Sequence, residues 1–351
     1  MSVVVITDVV VEVEGRFEGE RVLIPATELA RATGWTRKPE GLCKGAICVP
    51  VRDAGALEVG DEIDLSGLAA ALGRRCVVDA DAQIAAMSLD PADRTMALEG
   101  LVAPDLELPD LDGAVHRLSE MRGSKVLLVA FSSWCGCRHD LPGWQELADE
   151  LAGDGLRIVT IALDDDPEVV RPFTDGIRIP VLLDRQHLVS EIFAVSNVPT
   201  AIWIDEEGRI ARPNGLAFGS DVFAEFTGVE SGPTLDAIRR WVRDGEVPIS
   251  PEDAAGAVDD LTDAEIDARL HFRIGAEARQ RGQQQAAERH LRTAGELAPL
   301  DFSVRRASMP LLDEDPFGDE FLRLYDQWQD GGAPYHGLPA NWDSQRGSSP
   351  A

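Results

Sequence analysis

Residues 125–142 read KVLLVAFSSWCGCRHDLP, and this stretch decides how the central part of the chain folds. After its first lysine the stretch has six apolar residues in a row, as in strands that are buried on both faces of a sheet. Two cysteines separated by one glycine follow, and the run GWQELADELAGDG then has the apolar spacing of an amphipathic helix that ends at glycine. The stretch therefore predicts a strand, a turn that carries Cys135 and Cys137, and a helix.

Strands and helices alternate on both sides of this stretch. RIVTIALDD and PVLLD predict two more buried strands, EIFAV a short helix, and TAIWIDEEGRI a strand and a turn. Upstream, LELPDLDGAVHRLSEM predicts a hairpin that turns at Asp112-Gly113. This alternation predicts an α/β domain with helices packed on a mainly parallel sheet.

The chain has 351 residues, more than one core of roughly 250 to 300 residues usually holds, so several domains are expected. Composition and periodicity predict five segments: a small α+β accessory domain at 1–101, the α/β domain at 102–247, a Pro/Asp/Ala linker at 248–262, a helical region at 263–335 and a flexible end at 336–351.

Residues 268–301 match the tetratricopeptide template of about 34 residues. Glycine, small, large apolar, small and proline residues fall where that template wants them, at Gly275, Ala287, Leu291, Ala294 and Pro299. The helical region is therefore predicted to be tetratricopeptide-like. One such repeat does not bury its own apolar face, so we expect it to pack on itself, on another domain or on a protein partner.

Charge and hydropathy exclude two classes of partner. The net charge of -29 repels nucleic-acid phosphates and anionic lipid, and no basic patch is evident. No apolar run approaches the roughly 20 residues that a membrane helix needs. The N-terminal MSVVVITDVVVEVEG has no basic start and no small-residue cleavage site, so it predicts a strand, and the cytoplasm is the expected location.

Residues 104–245 resemble the TlpA/ResA-type thiol-disulfide oxidoreductases, which have the thioredoxin fold. The resemblance rests on Pro104-Asp105 with its LDG hairpin, on LSEMRGSKVLLVAFSSWCG, on Leu141-Pro142, and on Asn197-Val198-Pro199-Thr200 before IWID. It implies a cis peptide bond at Val198-Pro199, facing Cys135, and a thiol or disulfide of a protein or small molecule as substrate. It also implies a thioredoxin- or glutathione-type electron donor and no cofactor beyond the redox-active disulfide.

The motif departs from the family pattern at one point. The family has WCxPC where this chain has WCGCR, so one position is missing between the cysteines. Either the motif has shortened, or Arg138 has replaced the resolving cysteine and Cys137 is a separate acquisition. RHDLP matches the family's run from the residue after its second cysteine to the proline, which favours the shortened motif. The family's buried acid is also missing, because Val129 stands there, and His139 is the nearest candidate for a general base.

The residues themselves favour a reactive thiol. A cysteine at the start of a helix is stabilised as the thiolate, which is the nucleophilic form. Arg138 and His139 would add positive charge near Cys135, and Asp140 would oppose them. The remaining residues expected to shape the site are Trp134, which would shield the thiolate, Gly136, Val198 and Pro199. Cys137 is the nearest thiol that could release a mixed disulfide on Cys135.

Three alternatives remain open. Cys135, Cys137 and His139 offer ligands for Cu(I) or Zn(II), if the helix starts after Cys137. The domain could also be a redox-sensitive interaction platform without turnover, whose helical tail recruits a protein partner. Thiol peroxidase is the weakest alternative, because Leu128 replaces the proline that peroxidases of this fold carry.

The other cysteines have simpler expectations. Cys43 and Cys48 are predicted to be a reduced structural pair, with a second exchanging dithiol or half of a zinc site as alternatives. Cys76 begins an apolar strand and is expected to be buried. The acidic run 164–166 is predicted to be a solvated turn.

Overall fold

The structure is a computed structural model, and it describes residues 1–19, 21–340 and 342–343. Its contacts divide the chain into two compact units. The first comprises Met1–Pro91, Leu261–Pro299 and Leu311–Asp313, and the second comprises Ala92–Asp260, Leu300–Pro310 and the described residues from Glu314 onward. The domain boundaries given above stay a prediction, and the predicted helical region 263–335 contributes residues to both units.

The first part of the chain is rich in short strands: β1 Ser2–Ile6, β2 Val10–Glu14, β3 Arg16–Glu18, β4 Arg21–Pro25, α1 Leu29–Thr33, β5 Thr36–Lys38, β6 Gly41–Lys44, β7 Ile47–Val49, α2 Ala54–Leu57, β8 Glu58–Val59, β9 Glu62–Asp64, α3 Leu65–Ala71, β10 Cys76–Asp79 and β11 Ile84–Met87. The central part alternates strands and helices: α4 Pro91–Leu98, β12 Glu107–Pro109, β13 Val115–Arg117, β14 Lys125–Phe131, α5 Leu141–Leu151, β15 Leu156–Ala162, α6 Pro167–Val170, β16 Val181–Leu183, α7 Leu188–Ile192, β17 Thr200–Ile204, β18 Ile210–Leu216, α8 Ala224–Thr227, α9 Gly232–Asp244 and α10 Pro251–Ala254. The last part is helical: α11 Asp263–Gln280, α12 Gln284–Leu297, α13 Phe302–Leu311 and α14 Asp319–Asp330. Among the described residues, no helix is long and apolar enough to cross a membrane.

In the first unit, β1 takes part in two separate cores. It pairs with β11 in parallel and with β2 antiparallel, in a sheet of order β10-β11-β1-β2. Side chains alternate between the two faces of a strand. Val3 and Val5 accordingly join the core of the strand-rich region, whereas Val4 and Ile6 pack with Leu270 and other residues of α11 and α12. Residues 3–6 of β1 are therefore all apolar because helices cover the second face of the strand.

The helices α11 and α12 form a hairpin that needs a glycine at its closest approach. A Cβ atom on Gly275 would lie 2.7 Å from Cγ of Leu291, closer than real carbon contacts allow. The hairpin begins with a capping box, in which Thr262 and Glu265 each satisfy the other's backbone N–H. The tetratricopeptide likeness of this hairpin stays a prediction.

Three titratable side chains form a chain of hydrogen bonds between β10 and this hairpin. Nε2 of His290 lies 2.8 Å from Oδ2 of Asp79, and Nδ1 of His290 lies 2.8 Å from Nδ1 of His271. Burial, together with the nearby His290, lowers the pKa of His271 to about 4. Burial also lowers the pKa of His290, although Asp79 opposes this. Both imidazoles are therefore held neutral in the folded unit.

This cluster predicts that acid destabilises the first unit. An unfolded histidine has a pKa of about 6.5, so below that pH the unfolded chain binds a proton at His271, whereas the folded unit keeps His271 neutral down to about pH 4. We expect the urea midpoint of the unit to fall between pH 7 and pH 5, and to fall less in His271→Gln. Hydrogen exchange of β1 and β11 peptides at increasing urea measures this, with His116→Gln in the second unit as the control. An equal fall in both variants would contradict the assignment.

In the second unit, the sheet has the order β16-β15-β14-β17-β18. The pairs β14/β15 and β15/β16 are parallel, but β14/β17 and β17/β18 are antiparallel. The prediction of a mainly parallel sheet is therefore wrong. The turn after β17, which includes Gly208 at φ 85°, joins β17 and β18 as a hairpin, and a hairpin connects only antiparallel strands. The hairpin predicted at Asp112-Gly113 is confirmed by the antiparallel pair β12/β13.

The core of this unit fixes the strand that leads to the motif. Leu127 and Val129 of β14 pack in a cluster with residues of α5 and α9. Trp203 on β17 stacks on Trp241 of α9, with ring centroids 4.9 Å apart. The strand that ends at the motif is therefore anchored by a packed core on one face of the sheet.

The last described part of the chain completes the second unit by packing on its central residues. Backbone N–H of Phe302 donates to the carbonyl of Ser196 at 2.9 Å, and Oγ of Ser303 donates to the carbonyl of Val195 at 3.0 Å, so α13 begins beside the loop before β17. Leu338 is buried, and its backbone N–H donates to Asn214 on β18 at 2.9 Å. The segment predicted to be flexible thus includes residues that extend a sheet edge. The rest of it, at 341 and 344–351, lies outside the described residues.

Candidate functional site

The cysteine motif lies where β14 gives way to a helix. Cys135 precedes a 3-10 turn at Gly136–Asp140 that continues directly into α5. The apolar residues of β14 bury the strand up to Phe131, and Pro142 in the first turn of α5 costs no backbone hydrogen bond. The predicted order of strand, turn and helix is confirmed. This order places both cysteines just after the end of β14, the central strand of the sheet.

The two cysteines are joined to each other and shielded from solvent. Their Cα atoms are 5.2 Å apart and the sulfurs form a disulfide. Such a separation lies within the range of about 4.4 to 6.8 Å that disulfides adopt. Cys135 is 5% exposed and Cys137 is 3% exposed, and backbone N–H of Cys137 points at Sγ of Cys135 at 3.3 Å. Two cysteines separated by one glycine can therefore bond to each other at this turn.

The loop before β17 forms the wall opposite Cys135. The peptide bond between Val198 and Pro199 is cis, the form that the family resemblance implies. Sγ of Cys135 lies 3.5 Å from the carbonyl oxygen of Val198. Gly136 contributes to the same geometry, because a Cβ atom there would lie 2.6 Å from the ring of Phe223. The glycine thus leaves room for an aromatic ring directly against the motif.

Three of the predicted site residues, Trp134, Arg138 and His139, contact groups other than the two sulfurs. The buried indole of Trp134 donates to the carbonyl of Leu163 at 3.0 Å. Arg138 donates to the carbonyl of Ser133 at 2.5 Å and to Nε2 of His139 at 3.3 Å. His139 itself is exposed, and its ring lies against Phe173 and Phe223. Within the described part of the chain, no hydrogen bond joins His139 to either sulfur.

Asp140 and Asp164, near the motif, are both buried, which the sequence analysis did not predict. Burial raises the pKa of Asp164 to about 6, even though Ser133 donates to it from its backbone N–H at 3.0 Å and from Oγ at 2.5 Å. Burial likewise raises the pKa of Asp140 to about 6, against hydrogen bonds from Ser220 and the backbone of Gly219.

The position of Asp164 corrects one expectation. Asp164 directly follows Leu163 at the carboxyl end of β15, next to the end of β14, so it is buried and is not part of a solvated turn. Residues at such strand ends collect around the active sites of open α/β sheets. The signal was present in the sequence as an acidic run directly after an apolar strand.

A cavity of about 410 Å³ lies over the cysteine pair. Cys135, Gly136, Cys137, Val198 and Pro199 line it, so five of the predicted site residues are brought together. Aromatic rings form most of its remaining wall, from the loop after β18 and from residues 302–328. Three other predicted site residues, Trp134, Arg138 and His139, are not among the described residues that line the cavity. The helices α13 and α14 thus contribute to the site, which the sequence did not indicate.

The remaining cysteines lie in the first unit. Cys43 and Cys48 are directly opposite each other on β6 and β7 and form a disulfide, where a reduced pair was expected. Cross-strand neighbours have close Cβ atoms, which explains the pairing. Cys76 is partly buried, and desolvation raises the pKa of its thiol to about 12. No group of three or more metal-ligating side chains occurs in the described ranges.

Comparison with known proteins gives matches in the central region. The model of the AhpC/TSA family matches residues 100–212. Thiol-disulfide oxidoreductase ResA of Geobacillus thermodenitrificans is 31% identical over 123 residues, which cover 34% of this chain and 71% of the relative. Thioredoxin-like protein YneN of Bacillus subtilis is 33% identical over 118 residues, covering 32% of this chain and 68% of the relative.

Solved structures are similar to part of the chain. One is the crystal structure of a putative thiol:disulfide interchange protein DsbE from Chlorobium tepidum, with 29% identity and a TM-score of 0.29. The match covers 31% of this chain and 79% of that structure.

Proposed function

Because the chain belongs, through its central region, to the ResA-type family of thiol-disulfide oxidoreductases, we propose that Cys135 and Cys137 form its redox-active pair. The observation that carries the proposal is the position of the two sulfurs. They are bonded to each other at the end of β14, and Sγ of Cys135 lies 3.5 Å from the carbonyl of Val198, next to Pro199. The family implies thiol or disulfide substrates.

The proposed exchange has two steps. The thiolate of Cys135 attacks one sulfur of a substrate disulfide, so a mixed disulfide forms and one substrate thiol leaves with a proton. The thiolate of Cys137 then attacks Sγ of Cys135, which releases the second substrate thiol and forms the Cys135–Cys137 disulfide. Two electrons have then passed to the substrate, and a thioredoxin- or glutathione-type dithiol or thiol donor restores the pair by the reverse chemistry.

The helix start and the buried acids support this assignment of roles. Backbone N–H of Cys137 points at Sγ of Cys135, and such a donor stabilises a thiolate more than a thiol. Asp164 and Asp140, with pKa values near 6, are candidates for the proton-accepting role first considered for His139. Asp164 is tied to the motif through Ser133.

The alternatives have less support. A metal site at Cys135, Cys137 and His139 needs all three side chains to converge, but the His139 ring packs on Phe173. The peroxidase alternative lacks the proline of that family, because Leu128 stands at its position. The hydroxyl of Ser132 donates to the carbonyl of Leu163 at 3.2 Å. The interpretation of the domain as an interaction platform without turnover stays a prediction. A protein partner for the helical tail and the cytoplasmic location also stay predictions.

The proposal is tested by assaying activity and metal content on one preparation. The wild-type protein is mixed with insulin or oxidised glutathione and a reductant, and disulfide reduction is followed while bound copper and zinc are measured. We expect catalysed reduction in protein that carries less than stoichiometric metal. One equivalent of tightly held metal together with no turnover would contradict the proposal and favour the metal-binding alternative.

A further inference from the structure

A buried arginine lines the cavity over the cysteine pair and lacks an acidic partner. Arg306 on α13 is 7% exposed, and Nε donates to the carbonyl of Pro316 at 3.0 Å. Among the described residues, no carboxylate oxygen lies within salt-bridge distance of its guanidinium. A buried cation without a counter-charge is costly, because it has lost its hydration without an ion pair in return.

Apart from the carbonyl of Pro316, the guanidinium contacts two aromatic rings. It lies 3.7 Å from the ring centroid of Phe321 and 5.0 Å from that of Phe317. Arg138 lies over the same Phe317 ring at 4.5 Å, so two cations share one aromatic neighbour. Burial and the charge of Arg138 lower the pKa of Arg306 to about 9, which still leaves it charged at neutral pH. An aromatic ring face stabilises a guanidinium less than a carboxylate or phosphate does, because the ring accepts no bidentate hydrogen bonds.

The rest of the cavity is suited to an apolar body. Its volume of about 410 Å³ lies in the range of roughly 300 to 1,000 Å³ that small-molecule pockets have. Phe226, Phe302, Tyr325 and Trp328 contribute aromatic surface to its wall, and the cysteine pair contributes the reactive group. An occupant would therefore meet aromatic rings, one guanidinium and the redox site in a single open cavity.

We propose that this cavity binds an apolar organic anion, whose carboxylate or phosphate pairs with Arg306 while its alkyl or aromatic body packs on the rings. The inference rests on the proposed function in one respect: the thiol or disulfide that reacts with Cys135 would then be a small molecule of this class. Exchange proceeds by the two steps given above, with the anion held away from the sulfurs.

Binding is tested with probes that cannot react. Calorimetry on the full chain carrying Cys135→Ser measures decanoate and decyl phosphate against 1-decanol, which matches their chains without the charge. We expect saturable binding of at least one anion, about tenfold or more weaker in a further Arg306→Gln variant, because a hydrogen-bonded charge pair is lost. Decanol should bind both proteins equally. The relative affinity of the two anions identifies the head group.

Two controls keep the result interpretable. Arg305→Gln removes the neighbouring arginine, which pairs with Glu320 at 3.4 Å and does not line the cavity, and it should leave decanoate affinity unchanged within about twofold. Arg306→Lys keeps a charge and should retain part of the affinity if Arg306→Gln unfolds the protein. Equal binding of decanoate and decanol to the arginine-containing protein, or no saturable binding, would overturn the inference.

The two proposals fail in different ways. Anion binding is measured without the nucleophile, so it does not depend on turnover. An active wild-type protein whose Cys135→Ser variant binds no anion overturns the inference and leaves the proposed function standing. Anion binding in a protein that reduces no disulfide overturns the proposed function, whereas the inference that the cavity binds an organic anion still holds.

Discussion

Cys135→Ser is expected to reduce catalysed disulfide exchange by a factor of about a thousand or more, because serine cannot form the mixed disulfide on which turnover depends. Cys137→Ser should behave differently. Its Cys135 can still attack a substrate disulfide, but no second thiol at the site releases the product, so a covalent adduct on Cys135 should accumulate. Insulin reduction and intact-protein mass spectrometry measure the two outcomes.

Cys76→Ser is the matched control for this pair of variants. Burial raises the pKa of the Cys76 thiol to about 12, so it is protonated at neutral pH and should not contribute to exchange. We expect activity within about twofold of wild type in this variant. Undiminished turnover in Cys135→Ser would show that another cysteine is the nucleophile, and a missing adduct in Cys137→Ser would show that Cys137 does more than resolve.

Asp343→Ala is expected to lower the free energy of unfolding of the second unit by about 3 to 5 kcal/mol. Asp343 is the counter-ion of Arg212 on β18, at 3.1 Å, and both side chains are almost fully buried, at 1% and 0% exposed. Oδ2 of Asp343 also accepts a hydrogen bond from Thr234 at 2.9 Å. Removing the carboxylate would leave the Arg212 guanidinium buried without its counter-ion, 5.1 Å from the ring centroid of Trp203.

Urea unfolding followed by tryptophan fluorescence measures this loss. Asp343→Asn keeps a hydrogen-bond acceptor for Thr234 and removes the charge, so it should be less destabilising than alanine. Glu150→Ala breaks the ion pairs with Arg239 and Arg243, whose side chains are 33% and 44% exposed, and should cost about 1 kcal/mol or less. A loss in Asp343→Ala no larger than that in Glu150→Ala would contradict the interpretation.

The local parts of the site could be predicted because their signals are local. An apolar run followed by a cysteine and an amphipathic pattern specifies a strand, a turn and a helix, and this places Cys135 without knowledge of the rest of the fold. The family resemblance added Val198 and Pro199, which are distant in sequence but match a motif.

The missed features depend on which elements become neighbours. Asp164 belongs to an acidic run that a solvated turn also explains, and only the pairing of β15 with β14 brings it to Ser133. The apolar faces of α13 and α14 predict burial but do not specify the surface that covers them. Their rings therefore could not be assigned to the cysteine site, and neither could the buried charge of Arg306.

The most direct test of the redox-pair assignment is the thiol state of Cys135 and Cys137 in buffers of defined reduced and oxidised glutathione, measured by alkylation and mass spectrometry. The two thiols should become oxidised together, as one two-electron couple, and this transition should vanish in either single cysteine variant. Independent glutathione adducts on each cysteine, or free thiols in every buffer, would contradict the assignment of Cys135 and Cys137 as a redox pair.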